Sequence, residues 1–330
     1  MKQYNWVIVG CGAIASELAQ AMEKEGRRLY GVANRTYENA VRFGEKYGIP
    51  KVYRSIGDVF TDDHVDIVYI STPHNTHSDY INQALAHGKH VLCEKSITLN
   101  AGELERAVAL AKDHGRVLAE AMTIYHMPLY KKLREIADEG LLGPLRMVQL
   151  NFGSYKPYDM TNRFFNPSLA GGALLDIGVY ALSFARWFMS EAPDQITSQM
   201  KPAPSGVDEQ AGILLMNGAG EMAAIALTLH AKQPKRGTVA FDKGYIEIYE
   251  YPRADRAVII YTEDGGQEVV ELGNRADALR YEIRDMENAV AGKTNEMRLD
   301  YSCDVMRIMT ELRRGWGGYL IRRKNRVYSV

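Results

Sequence analysis

The chain has 330 residues, 46% of them hydrophobic and 25% charged, with a formal net charge of -1. That length suits about two domains and that composition supplies a sizeable core, which excludes a disordered chain, a collagen-like repeat and a disulfide scaffold. A balance so near neutral gives no field to draw the chain onto nucleic acid or an anionic membrane, so the expected partner is a small molecule.

The first third alternates short apolar runs with helical periodicity, the pattern of βαβ units feeding a parallel sheet. Strands are expected at Trp6–Val9, Leu29–Ala33, Ile67–Ser71, His90–Cys93 and Val117–Ala121. Helices are expected over Ala13–Glu25, Tyr37–Tyr47, Thr76–Ala86 and Ala101–His114, the last capped by Asn100 and stopped by Gly115. The fold class is therefore α/β, with a doubly wound Rossmann domain over residues 1–121.

Gly10-Cys11-Gly12-Ala13-Ile14-Ala15 follows the first strand and opens the first helix, with Ala15 in the third place of a GxGxxG/A pattern. Gly10 permits the tight turn, and Gly12 lets the backbone approach a pyrophosphate seated on the helix N-terminus. A tight turn without a ligand is the plain alternative.

The second strand ends Ala33-Asn34-Arg35-Thr36, with no acid before Glu38 to hold a ribose 2′-hydroxyl. Asn34 and Arg35 suit a 2′-phosphate instead, so NADP is the expected cofactor, with NAD the second choice and a solvated loop arginine the alternative.

The next strand end reads Ser71-Thr72-Pro73-His74-Asn75-Thr76-His77, at the carboxyl edge where open α/β sheets bind ligands. Thr72 and Pro73 are expected to flank the nicotinamide ribose, with Ser71, Asn75 and His77 as further cofactor candidates. His74 and His77 have no evident third ligand, and no metal is expected. Glu94-Lys95-Ser96 then places a charged pair at the same edge. Lys95 is a candidate for assisting proton transfer and Glu94 for lying beside the cofactor, against the alternative of a structural ion pair.

Beyond residue 121 the rhythm changes. A helix is expected over Pro128–Glu139, a strand over Leu145–Phe152, a long aromatic loop to Leu169 of the kind that serves a function, and a helix over Leu174–Ser190. Turn signals at Asn217-Gly218, Asp242-Lys243-Gly244 and Asp264-Gly265-Gly266 then mark a mostly antiparallel sheet, and helices over Ala276–Ala291 and Tyr301–Arg314 follow. Residues 122–330 thus form an expected α+β domain whose last helix is free to pack back on the first domain.

Within it, Gly171-Gly172-Ala173-Leu174-Leu175-Asp176-Ile177-Gly178-Val179-Tyr180 is the most specific segment. Asp176 and Tyr180 share a helix face, where a carboxylate and a phenol suit a diol, and the glycines ahead let a substrate or the other domain come close. Core packing of Tyr180 is an equal alternative.

The most apolar stretch, Gly171–Met189, carries Asp176 and Arg186, so no membrane span is expected. Glycines interrupt the N-terminal apolar patch where a signal peptide would be continuous. Cys11, Cys93 and Cys303 form no CxxC pair, and a reducing cytoplasm is the expected location. The basic tail, Arg313, Arg314, Arg322, Arg323, Lys324 and Arg326, is read as a solvated face, with a nucleic-acid patch as the lesser alternative. A sheet face bearing Met216, Met222, Ile225 and Leu227 suits either an isologous interface or helices of the same chain.

The Gly10-Cys11-Gly12 turn, Glu94-Lys95 and the Gly171–Tyr180 segment together resemble the Gfo/Idh/MocA oxidoreductases, over essentially the whole chain and in the same domain order. The resemblance implies a C-terminal substrate domain with a large open sheet used for oligomerisation, as a homodimer or homotetramer. It also implies hydride transfer between a nicotinamide and a hydroxyl or carbonyl of a sugar or polyol. It puts the family's lysine on Lys95 and its helix aspartate on Asp176. A tyrosine at 180, where inositol dehydrogenases have histidine, is similar to the dihydrodiol dehydrogenase and glucose-fructose oxidoreductase branches, in which it is the acid/base and NADP is favoured.

On that expectation Tyr180 handles the hydroxyl proton, Lys95 polarises the substrate oxygen and lowers the tyrosine pKa, and Asp176 orients the substrate or the lysine. Ser96 stands where the family has proline, and Tyr125 where a basic residue is common. Tyr125, Arg163, Asp176 and Tyr180 make up the expected substrate contacts. A cofactor-binding sensor on the same scaffold is the alternative of a different class, and its signature would be loss of the lysine or the helix acid.

Overall fold

The computed structural model describes residues 3–317, 321–323 and 326–328. They divide into two compact units, one made of the chain up to Met122 together with Ala276–Leu299, the other of Thr123–Arg275 and the chain from Asp300 onward.

In the first unit the chain runs β1 (Trp6–Val9), α1 (Ala13–Lys24), β2 (Gly31–Ala33), α2 (Tyr37–Tyr47), β3 (Lys51–Val52), α3 (Ile56–Thr61), β4 (Ile67–Ile70), α4 (His77–Ala86), β5 (His90–Glu94), α5 (Ala101–Asp113) and β6 (Leu118–Ala121). All six strands are parallel in the order β3-β2-β1-β4-β5-β6, which puts the reversal of strand order between β1 and β4. Strands β1 and β4 are buried along their whole length, as a parallel sheet covered on both faces requires. Two elements escaped the sequence reading. β3 is two half-buried residues long, and α3 has six residues held by a capping box between Ser55 and Asp58. Asn100 caps α5 as expected, its side chain accepting from the Glu103 amide at 2.9 Å.

The second unit begins with α6 (Thr123–His126), α7 (Pro128–Asp138) and β7 (Leu145–Gly153), and a long loop leads to α8 (Val179–Phe188). Strands β8 (Gln195–Pro202), β9 (Asp208–Met216), β10 (Met222–Thr228), β11 (Gln233–Phe241), β12 (Gly244–Tyr249), β13 (Arg256–Tyr261) and β14 (Gln267–Glu271) follow. They join β7 in one sheet of order β14-β13-β12-β11-β7-β10-β9-β8, antiparallel except where β10 runs alongside β7. The segment Pro167–Phe188 is long and apolar enough by composition to cross a membrane, but 78% of its most apolar window is buried inside the fold, as a core helix should be.

The sheet face corrects one expectation. Met222 lies opposite Met216 and Met147 and is half-buried, whereas Ile225 and Leu227 are buried. Positions 222 and 225 differ by an odd number, so the pleat sends them to opposite sides. The open side carries Met147, Leu214, Tyr245 and Tyr249, all exposed.

Then come α9 (Ala278–Val290), α10 (Leu299–Gly315) and two short paired strands, β15 (Ile321–Arg323) and β16 (Arg326–Tyr328). Lys324 of the basic tail lies outside the described residues. Helix α9 belongs to the first unit, and an ion network explains why. Glu25 at the end of α1 accepts from Arg280 Nε at 2.5 Å, from Arg284 Nε and Nη2 at 2.8 Å each, and from Arg27 at 2.9 Å. Glu287 takes Arg27 at 2.6 Å and the Trp6 indole at 3.2 Å.

Burial alone would raise the Glu25 carboxyl, but Arg284 and Arg280 win and hold it at about 2, below its ordinary 4.5. A carboxylate depressed in the fold adds stability above its unfolded value and loses it as pH falls toward the folded one. Unfolding followed by urea is therefore expected to show stability slipping between pH 4.5 and about 2, with a shallower slope in Glu25→Gln. That variant is also expected to be weaker by on the order of 2 kcal/mol at neutral pH. Equal slopes would remove Glu25 from this role.

Candidate active site

The first unit carries the features expected of a nucleotide site. Gly10 sits at φ +103°, and a Cβ there would stand 2.9 Å from the Ser71 backbone. The turn is pinned on both flanks. The Gly10 amide donates to the Ala33 carbonyl at 2.8 Å, and the Ser71 hydroxyl lies 3.2 Å from the Val9 and Gly10 carbonyls. Ser71 thereby shapes the turn.

Gly12 is the N-cap of α1, without a side-chain cap, without an acid in the first turn, and with open space where a Cβ would be. Unpartnered amides and free room are what a pyrophosphate needs, so the residues fit a dinucleotide. Ala13 is exposed and Ile14 half-buried on that turn, while Ala15 is fully buried, as close helix–strand packing demands. Burial pushes the Cys11 thiol up to about 11, which leaves it an inert neighbour. At the end of β2, Arg35 is exposed and Asn34 spends its amide on the Thr36 carbonyl at 3.0 Å.

The next two strand ends are tied together. Thr72 and Thr76 hydroxyls meet at 2.7 Å, and Thr76 also donates to the Pro73 carbonyl at 2.7 Å. Thr72 and Asn75 are half-buried and Pro73 is exposed. His74 Nε2 donates to the Lys95 carbonyl at 3.0 Å, and His77 is buried with its ring between two further carbonyls. Both histidines spend ring nitrogens on backbone, and among the described residues no group of three or more His, Cys, Asp or Glu is placed to hold a metal. The Tyr69 hydroxyl donates to Glu94, and burial followed by the Glu94 charge pushes that phenol well up. Glu120 accepts the Ile97 amide at 3.0 Å, and the Lys95–Ser96 peptide is cis. Lys95 thus stands on a segment held by Tyr69, His74, His77 and Glu120, and the sequence reading did not single out Tyr69 or Glu120.

The second unit pairs Arg163 with Asp176, and Tyr180 follows four residues on. The helix opens with a π-helical turn over Leu174–Gly178 before α8, so Asp176 lies in a wider coil than its spacing suggested, a feature frequent at functional sites. Arg163 Nη1 lies 3.5 Å from Asp176 Oδ1, and its guanidinium covers the Phe164 ring at 4.4 Å. Tyr180 is half-buried, its ring 6.3 Å from that of Phe152.

The glycines ahead of Asp176 serve the chain itself. A Cβ on Gly171 would meet the Phe164 carbonyl at 2.6 Å, and one on Gly172, at φ +122°, would meet Asp208 Oδ1 at 2.1 Å. Buried Asp208 accepts the Leu174 amide at 2.5 Å and so caps the helix that presents Asp176.

Tyr125 is reassigned. It is fully buried, stacked on Trp187 at 5.8 Å and edge-on to Tyr301 at 5.9 Å, and leaves no surface for a substrate. A cluster that the sequence did not reveal holds the long loop instead. The Tyr158 hydroxyl donates to buried Glu209, which also takes Lys201 at 2.9 Å, and the Tyr158 ring stacks on His230 with centroids 3.9 Å apart. Burial raises the Glu209 carboxyl, but those two donors bring it below its ordinary range. Its signal was present in the adjacent acids Asp208-Glu209 that open an otherwise apolar strand.

Against known proteins, the model of an oxidoreductase family with an NAD-binding Rossmann fold matches residues 4–122, and that of the GFO/IDH/MocA C-terminal domain matches residues 130–247. The trans-1,2-dihydrobenzene-1,2-diol dehydrogenase of Sus scrofa is 32% identical over 250 residues, 74% of each chain. That of Xenopus laevis is 29% identical over 260 residues, 78% of each chain. Two solved structures share the fold. The aldose-aldose oxidoreductase of Caulobacter crescentus has a TM-score of 0.84 at 24% identity, covering 100% of both chains. A 3-ketoreductase of Actinomadura kijaniata, solved with NADP, has a TM-score of 0.81 at 23% identity, covering 95% of this chain and 98% of its own. Two family models that together span most of the sequence, in the order the fold requires, place the chain among the Gfo/Idh/MocA oxidoreductases, which bind a nicotinamide dinucleotide on a Rossmann fold.

Proposed function

We propose that this chain transfers a hydride between NADP and a hydroxyl or carbonyl of a sugar, polyol or cyclic diol. The observation that carries the reading is the grouping of Tyr180, Asp176 and Arg163 in one unit, a phenol and a guanidinium-paired carboxylate about one helical turn apart. That pair suits two adjacent hydroxyls, and the dehydrogenase relatives are named for a 1,2-diol.

Gly10, Gly12 and the N-terminus of α1 would hold the pyrophosphate, Arg35 the 2′-phosphate, and Thr72 with Pro73 the nicotinamide side. A nicotinamide bound there supplies a two-electron acceptor or donor at its C4. As a phenolate Tyr180 takes the hydroxyl proton during oxidation, and as a phenol it gives that proton back to the carbonyl oxygen during reduction. In the first unit, Lys95 is the proposed aid to proton transfer through its ammonium group. Asp176, steadied by Arg163, accepts a hydrogen bond from the neighbouring hydroxyl and sets the ring's orientation.

The open side of the second unit's sheet, with Met147, Leu214, Tyr245 and Tyr249 exposed, is the proposed contact for a second copy. Three free cysteines suit a cytoplasmic location.

Cofactor choice gives the direct test. Arg35→Ala is expected to raise KM for NADP+ by about 10- to 100-fold, the scale of a lost charge-assisted hydrogen bond, and to leave KM for NAD+ unchanged. An equal effect on both cofactors would contradict a 2′-phosphate contact.

A further inference from the structure

His77 opens α4 and has no exposed surface. Its Nδ1 lies 2.9 Å from the Ser96 carbonyl oxygen and its Nε2 lies 2.7 Å from the Thr72 carbonyl oxygen. Those carbonyls follow the ends of the neighbouring parallel strands β5 and β4, on the turns that carry Lys95 and Thr72-Pro73. His74 adds a bond of 3.0 Å to the carbonyl of Lys95 itself, and its ring stands edge-on to that of His77 with centroids 5.6 Å apart. Two imidazoles from one turn therefore grip consecutive carbonyls of the lysine segment, and one of them also grips the turn beside it.

We infer that His77 is a positioning residue for the reaction, fastening the lysine-bearing turn to the Thr72–Pro73 turn so that Lys95 and the wall of the nicotinamide side are set as one piece. The inference rests on the role given to Lys95 above.

A carbonyl oxygen only accepts, so the ring must donate to whichever turn it holds. As an imidazolium it holds both. As a neutral ring it has a single N–H, which tautomerisation moves between Thr72 and Ser96. The groups facing the ring weigh on this balance. Burial, and less strongly the charge of Lys95, favour the neutral ring, while the backbone carbonyls of Thr72, Ser96 and Ile97 favour the charged one. His74 is the other titratable neighbour. Burial is the larger influence and lowers the ring's pKa, so the neutral ring is favoured, its one N–H shared between two turns that have this buried side chain in common.

The test compares wild type, His77→Asn, His77→Phe and Lys95→Ala by NADPH fluorescence binding, by kcat at saturating cofactor across pH, and by melting temperature. Lys95→Ala is expected to lose turnover and keep NADPH binding. His77→Asn, which keeps one donor, is expected to weaken NADPH binding several-fold and lower kcat by about 10- to 100-fold, as misplacement of a supported catalytic group does. His77→Phe is expected to fall further.

A histidine variant that melts lower but binds NADPH and turns over like wild type would overturn the inference. Absence of NADPH binding by wild type would overturn the functional reading and the inference with it. Should the variants not fold, nitrogen-15 spectra of the wild-type histidine rings decide. The His77 signals shift when NADPH is added, and indifference to saturating NADPH overturns the inference.

Discussion

Tyr180→Phe is expected to lower kcat by about 10²- to 10⁴-fold while leaving KM for NADP+ unchanged, the range over which a positioned acid/base contributes. Only the phenol oxygen is removed. The ring keeps its contact with Phe152, centroids 6.3 Å apart, and α8 remains packed through its buried face, so a loss of fold is not the cause. A fall in kcat matched by the same fall in kcat/KM is the signature of an interaction made in the transition state. Asp176→Asn is expected to act differently, raising KM for the polyol more than it lowers kcat, because the role proposed for Asp176 is to bind and orient. A Tyr180→Phe enzyme within about threefold of wild type would return Tyr180 to the core-packing reading, since a positioned acid/base typically contributes about 10²- to 10⁴-fold.

Gly172→Ala is expected to cost about 2–5 kcal/mol of stability, from backbone strain at positive φ plus overpacking. At φ +122° an alanine is strained whatever the space, and here the Cβ would stand 2.1 Å from Asp208 Oδ1. Asp208 cannot retreat cheaply because its other oxygen caps the Leu174 amide at 2.5 Å, at the head of the π-helical turn that carries Asp176. The melting temperature of the second unit should fall by roughly 5–15 °C, at about 2–4 °C per kcal/mol for a unit of this size. Turnover should fall with it as Asp176 shifts. An unchanged melting temperature would show that the Asp208 cap is dispensable.

The local features of the fold were legible because they are periodic. The strand–glycine–helix start at Trp6–Lys24 and the exact span of α2 follow from alternation and helical spacing within a dozen residues. What the sequence hid was long-range. That α9 belongs with the first unit depends on Glu25 meeting Arg280 and Arg284, partners more than 250 positions away. Tyr125 was expected among the substrate contacts, but its burial depends on Trp187 and Tyr301, which no local pattern connects to it. Gly171 and Gly172 were expected to admit a substrate or the other domain, and the groups that come close are instead Phe164 and Asp208 of their own unit. The imidazole grip on the lysine segment was half visible. The histidines were evident, but not that their partners are carbonyls on a different loop.

The central claim, hydride transfer between a nicotinamide and a carbon bearing oxygen, is tested most directly by isotope transfer. Wild-type enzyme is incubated with NADPH deuterated at C4 and a panel of keto-sugars, inosose-type ketones and cyclic hydroxyketones, and the products are weighed by mass spectrometry. A product heavier by one deuterium, formed by wild type and not by Lys95→Ala, is the predicted result. Binding of NADPH with no deuterium delivered to any carbonyl in the panel would contradict it.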